Sequence, residues 1–477
     1  MYRFRWVFCQ LNALHGCFPP NLHRFLNELP STLDETYYRI LKRIDKAQWD
    51  DAHRLLQCLT VAARPLRVEE LVELLAFDCR ASSSGTVPKL ENWRWNDHEE
   101  AVLSTCSSLI AIIRSGNSRV VQFSHFSVKE YLTSPRLAQS PCVDVSRFHI
   151  DFEAAHTMMA QACLATLLRP DEDDENSDTK RSPLVKYAAQ HWVDHAQFEN
   201  VSSRVRGGMD NLFDSSKPHF AAWLRVHDID EDWSSFSDPY WHLSGAPLYY
   251  AAFCGFYDLA ERLITKYPDQ VNARGGRILA PLPAALYKKH FRVANLLHNH
   301  GANVDCRGWF ESTPLHPASI DGSVDIVRWL LNHGADANIQ NNGGYTPLHD
   351  AASYAPIECV QVLLDHNANT NLQLDANGQT PLYLVIDRRR GEDVTLDVAR
   401  RLLEHGADPN LYKDIYSSPL HEASYSGQLE VARLLLNYGA KVDAKDFRGR
   451  TPFQVAASKR YHEITKLLLE HGAVPPP

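Results

Sequence analysis

Two histidines four residues apart are the nearest approach to a metal site in this sequence. His191 and His195 fall on one face of a predicted helix, at the spacing of two zinc ligands. The zinc-protease pattern requires a glutamate directly after the first histidine, and Trp192 stands there instead. We therefore predict packing or surface histidines here. The acidic run from Asp171 to Asp178 is predicted to be a solvated loop, with a metal or basic-partner contact as the alternative.

The sequence also lacks two common motifs of nucleotide-binding and hydrolytic enzymes. The chain has no G-x-x-x-x-G-K-[ST] phosphate loop and no G-x-S-x-G nucleophile elbow. His125 has no nucleophile beside it and is interpreted as structural. The ten cysteines include no C-x-x-C pair, which is typical of reduced thiols in the cytosol. We predict no enzymatic activity, no metal and no cofactor.

The elements that organise the chain come from a repeated phrase, Thr313-Pro314-Leu315-His316. Its prolines are spaced 34, 33, 33, 34, 38 and 33 residues apart. The phrase recurs, with substitutions, around Pro247, Pro281, Pro347, Pro381, Pro419 and Pro452. This period resembles the ankyrin repeat, in which each unit is a turn with two antiparallel helices. We predict about seven stacked units over residues 244–477, with an insertion at Asp387–Asp393 between the helices of the fifth.

Residues 31–140 predict helices followed by a β-hairpin, which is the order of a winged helix. A capping box at Thr32 begins the first helix, and further helices are predicted at Gln48–Ala63 and Pro65–Leu75. β-rich runs at 109–113 and 120–123 flank a turn. A second capping box at Ser127 is predicted to begin the helix after the hairpin.

The segment 141–243 is predicted to be a helical bridge to the repeats. Its expected helices are 152–168, 183–198 and 218–226. The fold class is therefore mainly α: a winged-helix domain of helices plus a β-hairpin, a helical bridge and an ankyrin repeat solenoid. Residues 1–30 are interpreted as the remnant of a preceding helical region.

Four segments carry a resemblance to a family. They resemble segments of fungal NACHT and ankyrin repeat proteins of the STAND, or NLR-like, class, and they are Phe4–Val7, Glu28–Tyr37, Arg64–Leu71 and Phe123–Leu132. The winged-helix segment is also similar to the type named after GPI inositol-deacylase. In that family an NTPase module precedes this segment and acts as a nucleotide-controlled switch. Because the phosphate loop is missing here, the resemblance implies the C-terminal part of such a protein, with no nucleotide bound by this chain.

A partner protein is predicted to bind the finger loops and the concave face of the repeats. Exposed aromatic and arginine side chains commonly anchor protein interfaces. The predicted finger residues are Trp309, Phe310, Tyr345, Tyr416 and Phe447, and the predicted concave-face residues are Tyr354, Asp387, Arg388, Tyr425 and Lys459. The identity of the partner stays open, as does the ordinary alternative that single exposed aromatics have no function.

Two functions are preferred. The first is a non-catalytic protein-interaction scaffold, and the second is the sensor or relay half of an NLR-like switch whose NTPase lies outside this chain. An enzyme is a weak third alternative, and DNA binding by the winged helix is a similarly weak fourth. Basic residues there are Arg64, Arg67, Arg114 and Arg119, while Glu69, Glu70 and Glu73 crowd the candidate recognition helix. The net charge of −9 gives no general reason to expect nucleic-acid or anionic-membrane binding, and no apolar stretch reaches membrane-spanning length. From the scattered cysteines we predict a cytoplasmic protein, with the nucleus left open.

Overall fold

The fold is taken from a computed structural model. It describes residues 32–78, 89–90, 106, 108–116, 118–169, 182–227, 229, 245–375, 378–387, 391–412 and 417–475. The chain divides into two compact units. The first runs up to Pro247 and includes Asp258–Leu263, and the second comprises Leu248–Tyr257 and Ile264–Pro477. Among the described helices, none is both long and apolar enough to cross a lipid bilayer.

Two helices begin the winged helix. Helix α1 covers Leu33–Lys42 and α2 covers Trp49–Val61, with a 3₁₀ turn at Lys46–Gln48 between them. Thr32 caps α1 as predicted, because its hydroxyl accepts the backbone amide of Glu35 at 3.1 Å.

A three-stranded antiparallel sheet completes the winged helix. Strand β1 is Leu66–Arg67, β4 is Ile110–Ser115 and β5 is Ser118–Phe123, in the order β1-β5-β4. A separate pair consists of β2, Phe77–Asp78, and β3, Lys89–Leu90. The predicted hairpin is confirmed, since β4 and β5 pair antiparallel along their whole length.

Two local predictions in this unit are wrong. Helix α3 is Val68–Leu75 and not Pro65–Leu75, because Leu66 and Arg67 pair with β5 as strand β1. Helix α4, Phe126–Leu132, is capped by His125 and not by a box at Ser127. The His125 Nδ1 accepts the Ser127 backbone amide at 3.2 Å, so this histidine has the structural role that was expected.

Short helices α5, Pro135–Ala138, and α6, Val143–Ser146, lead into a helical segment. That segment consists of α7 Phe152–Leu167, α8 Val185–Ala196, α9 Val201–Arg204, α10 Arg206–Leu212 and α11 His219–Val226. The three predicted helices are confirmed as α7, α8 and α11, whereas α9 and α10 were not predicted. Trp192 and Trp223 pack edge to face with ring centroids 5.3 Å apart, and the Trp223 indole donates to the Ala189 carbonyl at 3.0 Å.

The repeats form helix pairs, as the period predicts. They are α12 Pro247–Phe253 with α13 Tyr257–Lys266, α14 Pro281–Tyr287 with α15 Phe291–Asn299, α16 Leu315–Ile320 with α17 Val324–Asn332, α18 Pro347–Tyr354 with α19 Ile357–Asp365, α20 Pro381–Asp387 with α21 Glu392–Glu404, α22 Pro419–Ser426 with α23 Leu429–Asn437, and α24 Pro452–Ser458 with α25 His462–Glu470. Short 3₁₀ turns lie at Pro268–Asn272 and Trp309–Glu311.

The helices stack in two rows. One row consists of the first helices, which pack on one another in the order α16, α18, α20, α22 and α24. The other row consists of the second helices, in the order α17, α19, α21, α23 and α25. The extra length of the fifth repeat extends its second helix, since α21 has 13 residues where α19 and α23 have 9. Residues 388–390 of the predicted insertion lie outside the described residues.

Candidate protein-interaction surface

Each histidine of the repeated phrase ties its own repeat to the next. The His316 Nδ1 accepts the Thr313 amide at 3.1 Å, and its Nε2 donates to the Tyr345 carbonyl at 3.0 Å. His349 and His421 make the equivalent contacts. Burial lowers the pKa of His316 and His421, and lowers that of His349 to about 4. These histidines are therefore neutral structural groups.

The finger loops, which precede the first helix of each repeat, are joined by side-chain hydrogen bonds. The Arg274 guanidinium donates to the Arg307 carbonyl at 3.2 Å, and Arg307 donates to the Gln340 carbonyl at 3.3 Å. The Gln340 amide continues the row to the Gln373 carbonyl at 3.1 Å. A surface that is fixed before it binds loses less conformational entropy on association.

An asparagine after four of the second helices makes another pair of bonds between repeats, and Asp305 and Asp443 accept the equivalent backbone amide in two others. The Asn410 side-chain oxygen accepts the Lys441 amide at 2.7 Å, and its NH₂ donates to the Gly439 carbonyl at 3.0 Å. The same pair of bonds is made by Asn272, Asn338 and Asn371. Together with the histidines, these bonds hold the loops of adjacent repeats in register.

The predicted finger aromatics differ in exposure. Phe310 is 77% exposed, Phe447 is 58% exposed and Trp309 is 37% exposed, so they can reach a partner. Tyr345 is half-buried, with its ring 6.0 Å from that of His349, and is less available than predicted. Tyr416 and the predicted concave-face residue Arg388 lie outside the described residues.

The finger that carries Trp309 and Phe310 has an unusual backbone. Phe310 and Glu311 are successive non-glycine residues in the left-handed region, with φ of 53° and 58°. The fingers of three other repeats place glycine where Glu311 stands, at Gly344, Gly378 and Gly449. Each non-glycine residue in this region costs roughly 1–2 kcal/mol. The Asn342 amide bonds the Phe310 carbonyl at 2.8 Å and helps to hold this conformation.

The remaining predicted residues lie at the ends of the first helices. Tyr354, Asp387, Tyr425 and Lys459 are all exposed. The structure brings two of them together, because the Lys459 ammonium lies 4.1 Å from the centre of the Tyr425 ring. Tyr287 and Ile320 occupy the position of Tyr425 in two other repeats and are also exposed, but they were not predicted. Alignment of the repeat units at the Pro-Leu phrase would have identified them.

The two histidines with metal-like spacing do not converge. His195 is buried, with its Nδ1 3.0 Å from the His156 Nδ1 and its Nε2 2.9 Å from the Tyr187 hydroxyl. His191 turns away and bonds Asp194 at 3.0 Å. Burial, helped by His156, lowers the pKa of His195 to about 3. Across the described ranges, no group of three His, Cys, Asp or Glu side chains is placed to hold a metal ion.

Helix α3, the candidate recognition helix, is held by a buried carboxylate. Glu70 is fully buried, and Arg64 donates to its two oxygens at 2.7 and 2.8 Å. Arg67 adds its Nε and its backbone amide, each at 2.8 Å. Burial by itself opposes ionisation and is the largest influence on this carboxyl group. Together, the hydrogen bonds from both arginines outweigh the effect of burial, so the pKa of Glu70 is lowered.

A second carboxylate of α3 bonds the helical segment. Glu73 accepts hydrogen bonds from the Arg169 guanidinium at 2.9 Å, the Ser182 hydroxyl at 2.6 Å and the Leu184 amide at 3.0 Å. The Arg67 guanidinium reaches the same segment at the Pro183 carbonyl, at 3.0 Å. Helix α3 thus connects the rest of the winged helix to the helical segment that follows. Arg64 and Arg67, two of the arginines expected to contact DNA, make hydrogen bonds within the protein instead.

Comparison with known proteins agrees with both parts of this fold. The family model "Ankyrin repeats (3 copies)" matches residues 248–341, 282–374, 335–413, 369–446 and 392–476. The chain contains ankyrin repeats. Residues 42–143 match the model "GPI inositol-deacylase, winged helix domain". The predicted combination of these two parts is therefore confirmed, although the NACHT module of the resemblance is not matched in this chain.

A relative is known among curated proteins. The "Azaphilone pigments biosynthesis cluster protein L" of Monascus ruber is 32% identical over 302 residues, which is 59% of this chain and 62% of that protein. The chain thus spans about three-fifths of the length of this relative. A fungal relative agrees with the fungal resemblance of the sequence.

Proposed function

We propose that this chain is a non-catalytic scaffold that binds a partner protein through its ankyrin repeats. The observation that supports this most directly is the set of exposed aromatics on finger loops that are already joined by hydrogen bonds. Aromatic anchors on a rigid surface provide most of the binding energy in typical protein interfaces. No nucleotide or metal enters the proposal, and a cytoplasmic location belongs to it on the basis of the scattered cysteines.

The strained finger favours a role for Trp309 and Phe310 in particular. A backbone conformation that costs free energy persists where other demands select it, and such sites often bind ligands. Here the conformation presents Phe310 with 77% of its surface exposed, which is unfavourable for the isolated chain. Contact with an apolar group of the partner would bury this surface.

Affinity purification of the full chain tests the proposal. Proteins that co-purify with the wild type should be depleted when Trp309 and Phe310 are both changed to alanine. Tyr438→Ala is the matched control, because Tyr438 is an exposed aromatic that follows the second helix α23 and lies outside the fingers. Equal recovery with the double variant and the wild type would reject the finger surface as the binding site.

A second candidate is a relay in an NLR-like switch, with the NTPase supplied outside this chain. It is favoured by the two carboxylates of α3, since Glu70 binds within the winged helix and Glu73 binds the helical segment. A rigid connection of this kind could transmit a change from one element to the other. Loss of the co-purified partner on adding a nucleotide-binding protein of the NACHT class would support the relay.

DNA binding is disfavoured by the same contacts. Arg64 and Arg67 both donate to Glu70, so its one negative charge compensates part of their positive charge before any phosphate approaches. Arg114 and Arg119 lie opposite each other on the hairpin and are the basic pair that the DNA hypothesis retains. Binding of duplex DNA that an Arg114→Ala/Arg119→Ala variant abolishes would restore that hypothesis.

A further inference from the structure

In five repeats the turn that the structure describes after the first helix uses a left-handed residue, and in two of these five that residue is basic. The equivalent residue of the fifth repeat, Arg389, lies outside the described residues. In three repeats it is glycine, at Gly255, Gly322 and Gly427, with φ of 75°, 66° and 78°. The equivalent positions of the second and seventh repeats are Lys289 and Arg460, with φ of 59° and 63°. Long side chains are unfavourable in this region, so these two cations are placed there at a cost in stability.

Packing explains why the other three turns need glycine. A Cβ atom at Gly255 would lie 2.6 Å from the His290 ring of the next repeat, and one at Gly427 would lie 2.8 Å from the Tyr461 ring. At the second repeat, the residue that corresponds to His290 and Tyr461 is Ser323, which has a smaller side chain.

Each basic turn contains a second cation that an aromatic ring holds in place. Lys288 directly follows α14, and its ammonium lies 4.5 Å from the Phe253 ring of the preceding repeat. Lys459 directly follows α24, and its ammonium lies 4.1 Å from the Tyr425 ring, also of the preceding repeat. We call Lys288-Lys289 and Lys459-Arg460 the basic turns. All four side chains are exposed, and none forms an ion pair with a carboxylate within the part of the chain that the structure describes.

The repeats that carry the basic turns also have an excess of basic residues in their fingers and first helices. Residues 273–290 contain four basic and no acidic residues, and residues 444–460 contain five basic and one acidic. The corresponding fingers, first helices and turns of the third and fourth repeats, 306–322 and 339–356, together contain one basic and three acidic residues. The same segment of the fifth repeat, 372–390, contains three basic and two acidic residues. The net positive charge is therefore largest in the two repeats that carry the basic turns.

We propose that the basic turns bind acidic segments of the partner protein. The inference rests on the proposed scaffold function and specifies the chemistry of the partner. A nucleic acid would favour a continuous positive track along its phosphates, whereas here the net acidic segments of the third and fourth repeats lie between the two turns. A protein surface can alternate its charges, and such a pattern selects the correct partner and its orientation.

The test measures anisotropy of fluorescein-labelled poly-L-glutamate with the full chain at low salt. The Lys289→Gly/Arg460→Gly variant should bind it about three- to thirtyfold more weakly, because two exposed cations are lost. The same variant should raise the Tm of the ankyrin unit, because glycine relieves both left-handed positions. Weaker binding with a higher Tm cannot be attributed to misfolding.

The control variant is Arg400→Ala/Arg401→Ala, which removes two exposed cations from the second helix α21. Poly-L-glutamate binding that is unchanged in the glycine variant, or equally weakened in the control, would overturn the proposal. Tighter binding of oligothymidine or of phosphatidylserine vesicles than of poly-L-glutamate would assign the turns to phosphate ligands instead. Because the probe is a defined peptide, failure here is distinct from failure of the co-purification experiment, which tests the scaffold itself.

Discussion

Replacing Glu70 by glutamine should destabilise the first unit by about 3 kcal/mol. The glutamine side chain has nearly the same shape, but it has one acceptor oxygen where the carboxylate has two. Four N–H groups from Arg64 and Arg67 converge on the carboxylate. In the variant, the glutamine NH₂ group would face some of these donors, and the charge that compensates the two guanidinium groups would be gone.

The magnitude follows from burial. Glu70 is 0% exposed, while the Arg64 and Arg67 side chains are 33% and 38% exposed. Breaking a fully buried ion pair costs about 3–5 kcal/mol. Water can reach both guanidinium groups here, which places the expected loss at the lower end of that range. The fold should survive as a population, with α3 as the first element to show increased opening.

Hydrogen exchange followed by mass spectrometry measures this effect locally. Peptides from α3 and β5 should exchange faster in Glu70→Gln, because the logarithm of the exchange rate rises in proportion to the loss of opening free energy. Glu69→Gln is the matched control, since Glu69 is half-buried and makes no side-chain hydrogen bond within the described residues. That variant should change stability by less than about 0.5 kcal/mol. If Glu70→Gln behaves like Glu69→Gln, the carboxylate does not hold α3 and the reasoning is wrong.

Three further outcomes are expected. Glu311→Gly should stabilise the ankyrin unit by about 1 kcal/mol in urea denaturation, by relieving a left-handed residue, and a loss of stability would show that the finger is not strained. Acidification below pH 6.5 should weaken the first unit by up to about 1.4 kcal/mol per pH unit, because the pKa of buried His195 is lowered to about 3 and folding requires the neutral ring. Protection factors in α8, taken relative to the intrinsic amide exchange rate at each pH, that do not change between pH 7 and pH 5 would contradict this. Asp350→Asn should stabilise the ankyrin unit at pH 8, because burial raises the pKa of Asp350 to about 7. The wild type therefore loses stability as the pH rises from 3.8, the pKa of an unfolded aspartate, through 7. A thermal scan at pH 8 that shows no gain in Tm for the variant would contradict this.

The helical repeats were predictable because the Pro-Leu phrase recurs at a nearly constant interval. The hairpin was predictable because two β-rich runs flank a turn. Strand β1 was not, since Leu66 and Arg67 are too few to show alternation and their partners Val121 and Val120 lie far along the chain. Likewise, a histidine cap such as His125 has no strong sequence signature, so the more familiar capping box was predicted in its place.

The candidate surface was predicted by residue type and only partly by geometry. Trp309, Phe310 and Phe447 are exposed as expected, but the Tyr345 ring is half-buried against its own repeat. Lys459 was predicted without Arg460, because the left-handed conformation of the turn is a backbone property that composition does not reveal. Side-chain bonds between fingers, such as Arg307 to Gln340, were also invisible without coordinates.

The central claim is that the finger loops and the ends of the first helices bind a partner protein. Hydrogen exchange of the full chain, with and without the purified partner, tests it most directly. The account predicts protection of the Trp309–Glu311 finger and of the turns that follow α14 and α24, with the second helices α17 and α19 unchanged. Protection confined to the second helices or to the winged helix would contradict it.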